Sequence, residues 1–270
     1  MMSTITTFAF ALVLGAGCMT DSPEDELGEL DQEVTGHTGH VLSGTEDDTM
    51  SLGSTSGRAC FLSGVAGNIT TWPFPQGGLS AGVGIRQNGG NWELFINTLF
   101  SGQKITAWAR CINNNTLTAP VTWSTNQPPA VVAPVAAGRY CFLTEVTTSR
   151  VGFAHGAFQS PGDSVAVASN GTNWVLSGSV IGKVTATARC ITVAQNLGLF
   201  FNWANPGSSN TQPMVPSEDG AVACFLTQLA GEIDDGSDWW QGMYVKHNTS
   251  YFYYDSIAKG GTGGRFRCVK

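Results

Sequence analysis

The chain reads as an all-β protein of three tandem, disulfide-stapled units, sandwich- or prism-like in build. Three signs lead there. Cys-Phe-Leu occurs three times, as Cys60-Phe61-Leu62, Cys141-Phe142-Leu143 and Cys224-Phe225-Leu226. Each copy is closed downstream by an Arg-Cys pair, Arg110-Cys111, Arg189-Cys190 and Arg267-Cys268. Between these marks apolar residues alternate at period two, and no stretch carries the period of a long amphipathic helix. Internal repetition constrains the architecture before any local reading, because each copy must form the same supersecondary unit. Successive starts lie 81 and then 83 residues apart.

The closing strand of each unit is the clearest. Ile105, Ala107, Ala109 and Cys111 share one face of a strand, as do Val184, Ala186, Ala188 and Cys190. In the third copy Phe266 and Cys268 keep that face, and Arg265 and Arg267 point outward. Mid-repeat, Asn88-Gly89-Gly90-Asn91-Trp92 and Asn170-Gly171-Thr172-Asn173-Trp174 read as tight hairpins, because Asn-Gly accepts the positive φ such turns need. His247-Asn248-Thr249-Ser250-Tyr251 takes the equivalent place in the third copy. Four or so strands per unit are expected, running from Cys-Phe-Leu to Arg-Cys. The expected layout is a leader over 1–17, an acidic tether over 18–56 and repeats at 57–112, 138–191 and 222–270. Connectors fill 113–137 and 192–221. Each connector holds a short apolar piece, Val121 to Trp123 and Leu199 to Trp203, that fits an extra strand and is expected to be buried between units packed about a pseudo-threefold axis or, failing that, in a row.

Six cysteines admit fifteen pairings, and the repetition reduces them to two symmetric ones. In the first, each unit closes on itself: Cys60 with Cys111, Cys141 with Cys190, Cys224 with Cys268. In the second, each unit is stapled to the next. The first is expected, because both cysteines lie on strands of one unit of about 50 residues, whose closure is worth roughly 4 kcal/mol in the chain-entropy model. Units this small bury too little apolar surface to stand without a staple. No Cys-x-x-Cys occurs, so metal ligation is not expected.

Composition points outside the cytoplasm. Only 12% of residues are charged, and there are 34 glycines, so Ser, Thr, Asn and Gln supply the polarity. Ten of the 20 acidic residues fall between Met19 and Met50, where no Lys or Arg occurs. A segment with one sign of charge and few apolar residues is expected to be disordered. The remainder is slightly positive without a basic stripe, which argues against nucleic acid as a partner. Phe8 to Gly15 is an apolar run too short to span a bilayer, and it fits the core of a secretory signal. The stretch Leu14-Gly15-Ala16-Gly17-Cys18 that follows resembles the lipobox of bacterial lipoproteins. The resemblance implies cleavage before Cys18, a lipid on its sulfur, and a membrane partner reached through that anchor.

The copies differ most just after Cys-Phe-Leu. The first carries Trp72 and Phe74, the second Phe153 and His155, the third Asp234, Asp235, Asp238, Trp239 and Trp240. Flat aromatic faces beside Asp or Asn side chains suit sugar rings; capping of each unit's own core, the usual place of large apolar residues in small β domains, is the reading favoured for the aromatics. The three aspartates lack the ligand order of an EF-hand, and no cofactor motif appears. Catalytic motifs are absent, and of four histidines only His155 and His247 lie in the repeats. The recurring arginines fit edge salt bridges, carbonyl capping or ligand binding. The expected function is non-catalytic binding of a glycan or surface polymer, adhesin-like or lectin-like. A structural envelope or matrix protein and a secreted hydrolase are the alternatives.

Overall fold

A computed structural model describes residues 35–69, 80–98, 104–149, 157–204, 208–216, 222–234, 241–247, 251–258 and 261–270. Over these the chain is all-β, and each repeat supplies six strands. Repeat 1 holds β1 (Thr35–Gly44), β2 (Asp48–Ser54), β3 (Arg58–Gly67), β4 (Ser80–Asn88), β5 (Asn91–Asn97) and β6 (Ile105–Asn113). Repeat 2 holds β7 (Val121–Ser124), β8 (Ala130–Pro134), β9 (Arg139–Ser149), β10 (Ser164–Ser169), β11 (Asn173–Ser179) and β12 (Lys183–Thr192). Repeat 3 holds β13 (Asn196–Ala204), β14 (Ser208–Pro216), β15 (Ala223–Gly231), β16 (Gly242–His247), β17 (Tyr251–Ala258) and β18 (Thr262–Val269).

No repeat keeps its strands in one sheet. The first sheet runs β1-β6-β3-β16-β17-β14, the second β13-β18-β15-β10-β11-β8, the third β2-β5-β4-β9-β12-β7. Each therefore joins the first, sixth and third strands of one repeat to the fourth, fifth and second of another. The exchange is cyclic: repeat 1 pairs with 3, 3 with 2, and 2 with 1. That is a pseudo-threefold arrangement, and it covers two strand edges that each repeat would otherwise leave open. The joints are short. β3 meets β16 through three residue pairs, β15 meets β10 through three, and β9 meets β4 through five. Side chains at the joints are matched in size. Tyr244 opposes Gly64, where a Cβ would fall 2.2 Å from the Tyr244 Cβ, and Glu145 opposes Gly84.

Cys-Phe-Leu is where the repetition does its packing. Cys60 and Leu62 enter one large core with Cys141, Leu143, Cys224 and Leu226. Strand alternation turns the intervening Phe the other way, into a second core with Ala59, Ile112, Ile191 and Val269. There Phe61, Phe142 and Phe225, all fully buried, form a triangle with ring centroids 5.0, 5.0 and 4.9 Å apart. The pseudo-threefold axis passes between them. Cys60 faces Cys111, Cys141 faces Cys190 and Cys224 faces Cys268 as direct cross-strand partners, and all three pairs are disulfides with Cα atoms 4.0, 3.9 and 4.0 Å apart. Three residues after each of Cys60, Cys141 and Cys224 the strand bulges, at Ser63, Thr144 and Thr227. All three bulged residues are buried. Thr144 and Thr227 donate their hydroxyls to the Thr187 and Arg265 carbonyls, at 3.2 and 3.1 Å, satisfying carbonyls that the bulge disturbs.

The hairpins form as the Asn-Gly pairs require, with Gly89, Gly90 and Gly171 at φ of 55°, 84° and 89°. Three expectations need correction. The acidic tether over 18–56 gives way at Thr35 to β1 and β2; residues before Thr35 lie outside the described part. These strands are so polar that their sequence hides them: Leu42 and Leu52 are their buried apolar residues, and backbone pairing with β6 and β5 holds the rest. The apolar pieces of connectors 113–137 and 192–221 are strands, β7 and β13, and the connectors also supply β8 and β14, so a unit has six strands rather than four and begins before Cys-Phe-Leu. Trp123 is buried, but inside its own repeat, where the Gly178 Cα on β11 leaves space for its ring. Trp203 is only half-buried.

Candidate functional site

Two places bring recurring residues together. The first is the end of the molecule where the third strands finish. Segments 70–79, 150–156 and 235–240, which hold the residues that differ between copies, leave and rejoin the described chain there. Ile69 donates its N–H to the Ile233 carbonyl (3.1 Å), and Ile233 donates to that of Phe158 (2.8 Å). The Thr148 hydroxyl, fully buried, donates to the Ile69 carbonyl at 2.6 Å. Gly67 N–H donates to the Gln241 carbonyl (2.8 Å), Ser80 pairs with Ser149, and Asn68 forms a bridge with Asp234. The stems of all three segments are thus tied to one another around the axis.

Of the residues singled out by sequence, Asp234 lies in this stem ring, half-buried, with its N–H donated to the Gln241 side-chain oxygen at 2.8 Å. Trp72, Phe74, Phe153, His155, Asp235, Asp238, Trp239 and Trp240 lie outside the described residues, as does Cys18. Close to Asp234, the Glu232 carboxyl is lifted above its ordinary range by burial and then by the charges of Asp234 and Asp163. Asp163 is itself buried and structural: it accepts the N–H groups of Gln159 (3.1 Å) and Ile181 (3.0 Å). Among the described residues no group of three or more His, Cys, Asp or Glu side chains gathers to hold a metal.

The second place is each joint between repeats. The arginine of every Arg-Cys pair lies there over an aromatic ring of the next repeat's fifth strand. Arg110 sits 4.8 Å from the Phe252 ring, Arg189 5.3 Å from Trp92, and Arg267 5.6 Å from Trp174 and 4.9 Å from Tyr140. Elsewhere on the third sheet Arg86 pairs with Glu93 at 3.1 Å. Stacking on a ring face attracts a cation through the ring's quadrupole, most strongly where water is excluded. The Arg-Cys and Asn-Gly…Trp signals, read separately in the sequence, therefore meet in space. Their shared period was the available clue; that they meet across repeats was not legible, because the strand exchange is a tertiary fact.

The three joints are not equivalent in polarity. At the joint of repeats 2 and 1, Glu145 lies opposite Gly84, and its carboxylate accepts the Thr187 hydroxyl at 3.4 Å. Burial raises its pKa, opposed by hydrogen bonds from Thr187 and Thr147 and by the charge of Arg86. There Arg189 also reaches the Gln87 oxygen at 3.4 Å, and Trp92 donates its indole N–H to the Arg58 carbonyl at 2.9 Å. The equivalents of Glu145 are Gly64 and Gln228, so the other two joints lack this acid. No protein-family model matches the chain, and no curated protein is similar to it.

Proposed function

We propose that this is an exported, surface-anchored, non-catalytic binding protein, adhesin-like or lectin-like, whose ligand is a carbohydrate or surface polymer. One observation carries the reading: the stems of the three segments that differ between copies are hydrogen-bonded to one another at one end of the axis. An architecture held constant by Cys-Phe-Leu and Arg-Cys, with variation gathered where the stems converge, is how a rigid scaffold presents binding residues. The aromatic residues in those segments are of the kind that stack on sugar rings. Three disulfides are compatible with an oxidising compartment outside the cytoplasm. Export and anchoring rest on the leader and on Cys18. A glycan array probed with the intact chain tests the reading. Trp72→Ala and Trp239→Ala should weaken the signal while thermal stability is held, and an array that stays blank would remove the lectin reading.

A further inference from the structure

The joints between repeats carry a binding chemistry separate from the stem ring. Arg110 is 7% exposed, yet its Nε has no hydrogen-bond partner among the described residues. Its guanidinium lies between the Phe252 ring and the backbone of Gly39, where a Cβ would come within 3.7 Å of Nη1. It borders a cleft of ≈ 270 Å³ together with Ser63, Trp108, Tyr244, Lys246 and His40. Trp108 and Tyr244 stack face to face there, 4.2 Å apart and within 5° of parallel. At the pseudo-equivalent place on the second sheet a cleft of ≈ 210 Å³ is bordered by Trp174, Arg265, Arg267 and Thr227. Trp174 is 4% exposed, and its indole N–H also has no partner among the described residues. Among the described residues no acidic side chain borders either cleft.

Buried donors without acceptors are costly, and a buried cation without an anion more so. Burial pushes the Arg110 pKa down to about 10, as expected for a charge held from water. The third joint differs in carrying an acid of the chain itself, Glu145, which lies opposite Gly84 and accepts the Thr187 hydroxyl. We propose that the clefts over Arg110 and Trp174 are a pair of subsites for carboxylate-bearing sugars, each taking one acidic ring. The carboxylate is held by Arg110 in one cleft and by the Trp174 N–H beside Arg265 in the other, and the ring lies against the bordering aromatics. Both volumes fall below the usual span of drug-sized pockets, which suits a single ring rather than a chain segment. Arginine is the side chain whose planar fork best matches a carboxylate.

The test is a titration of the isotope-labelled full chain at low ionic strength with D-glucuronate, following the Trp174 indole and Arg110 Nε–H resonances. D-Glucose and sodium sulfate serve as separate arms. Saturable shifts of both resonances by glucuronate, with none by glucose, are expected. Arg110→Met should weaken binding in its own cleft by about tenfold or more, the scale of one lost charge-assisted hydrogen bond, and leave the Trp174 response intact. Trp174→Phe should do the reverse. Should Arg110→Met fail to fold, Gly39→Leu tests the same cleft, because its side chain would cover the guanidinium and leave Arg110 in place. Unchanged glucuronate affinity in these variants, or glucose binding as well as glucuronate, would overturn the proposal. Sulfate matching glucuronate would overturn the assignment to a sugar. The stem-ring reading fails independently, because the Trp72 and Trp239 substitutions leave both clefts untouched.

Discussion

Removing one ring from the axial triangle should damage all three repeats at once. Phe142 is fully buried and touches both Phe61, at 5.0 Å, and Phe225, at 4.9 Å. Phe142→Ala deletes two of the three ring contacts and leaves a cavity where the repeats meet. Large-to-small changes of this kind cost about 3–5 kcal/mol, a large share of a domain's stability. Because the three positions are pseudo-equivalent, Phe61→Ala and Phe225→Ala should fall in the same range. Each ring pair is worth about 0.5–1.5 kcal/mol beyond area burial, so the double variant should cost less than the summed singles by that amount. The assay is equilibrium urea unfolding with the disulfides intact, followed by tryptophan fluorescence and by circular dichroism. Coincident single transitions are expected for every variant. Strictly additive costs, or one repeat unfolding ahead of the others, would show that the triangle does not couple them.

Three further outcomes follow from the same geometry. Glu145 has a folded-state pKa above its ordinary value, so the folded form holds a proton that the unfolded chain has released. Stability should therefore fall as pH rises through the window just above the usual glutamate range, and Glu145→Gln should flatten that slope in urea titrations across pH; an unchanged slope would refute it. Peptide mapping without reductant should recover Cys60–Cys111, Cys141–Cys190 and Cys224–Cys268, whereas Cys111 joined to Cys141 would contradict the fold. If Cys18 carries the anchor, Cys18→Ser should move the protein from the membrane to the soluble fraction with its thermal stability unchanged; a wild-type protein found wholly soluble would count against the anchor.

What the sequence disclosed was what each repeat states locally. The cysteine pairing, the Asn-Gly hairpins and the inward face of β6 and β12 depend on period-two alternation and turn chemistry, and all are present in the fold. Of the first two strands of each repeat, the sequence marked β7 and β13 by their apolar pieces but left β1, β2, β8 and β14 unread. β1 and β2 are polar and glycine-rich because they bury little beyond Leu42 and Leu52, so neither has the alternation that marks a half-buried strand. The strand exchange left no local trace either, since Gly64 against Tyr244 and Glu145 against Gly84 become complementary only after the repeats have met. For the same reason the arginines read as edge residues, although each finds its ring in the neighbouring repeat. At the stem ring, Asp234 alone of the ligand-binding candidates lies among the described residues, and apart from the Thr148 hydroxyl and the Gln241 side chain the ring that holds it is built from backbone hydrogen bonds, which carry no sequence signature.

The central claim is that one scaffold gathers three dissimilar segments into one binding end. Its most direct test replaces segments 70–79, 150–156 and 235–240 one at a time with Gly-Ser linkers of equal length, and measures each variant on the same glycan array. If the segments act together, every replacement should cut binding of the same glycan by about tenfold or more, since each removes one part of a shared contact. Three replacements that each abolish a different glycan, or none that changes the profile, would contradict it.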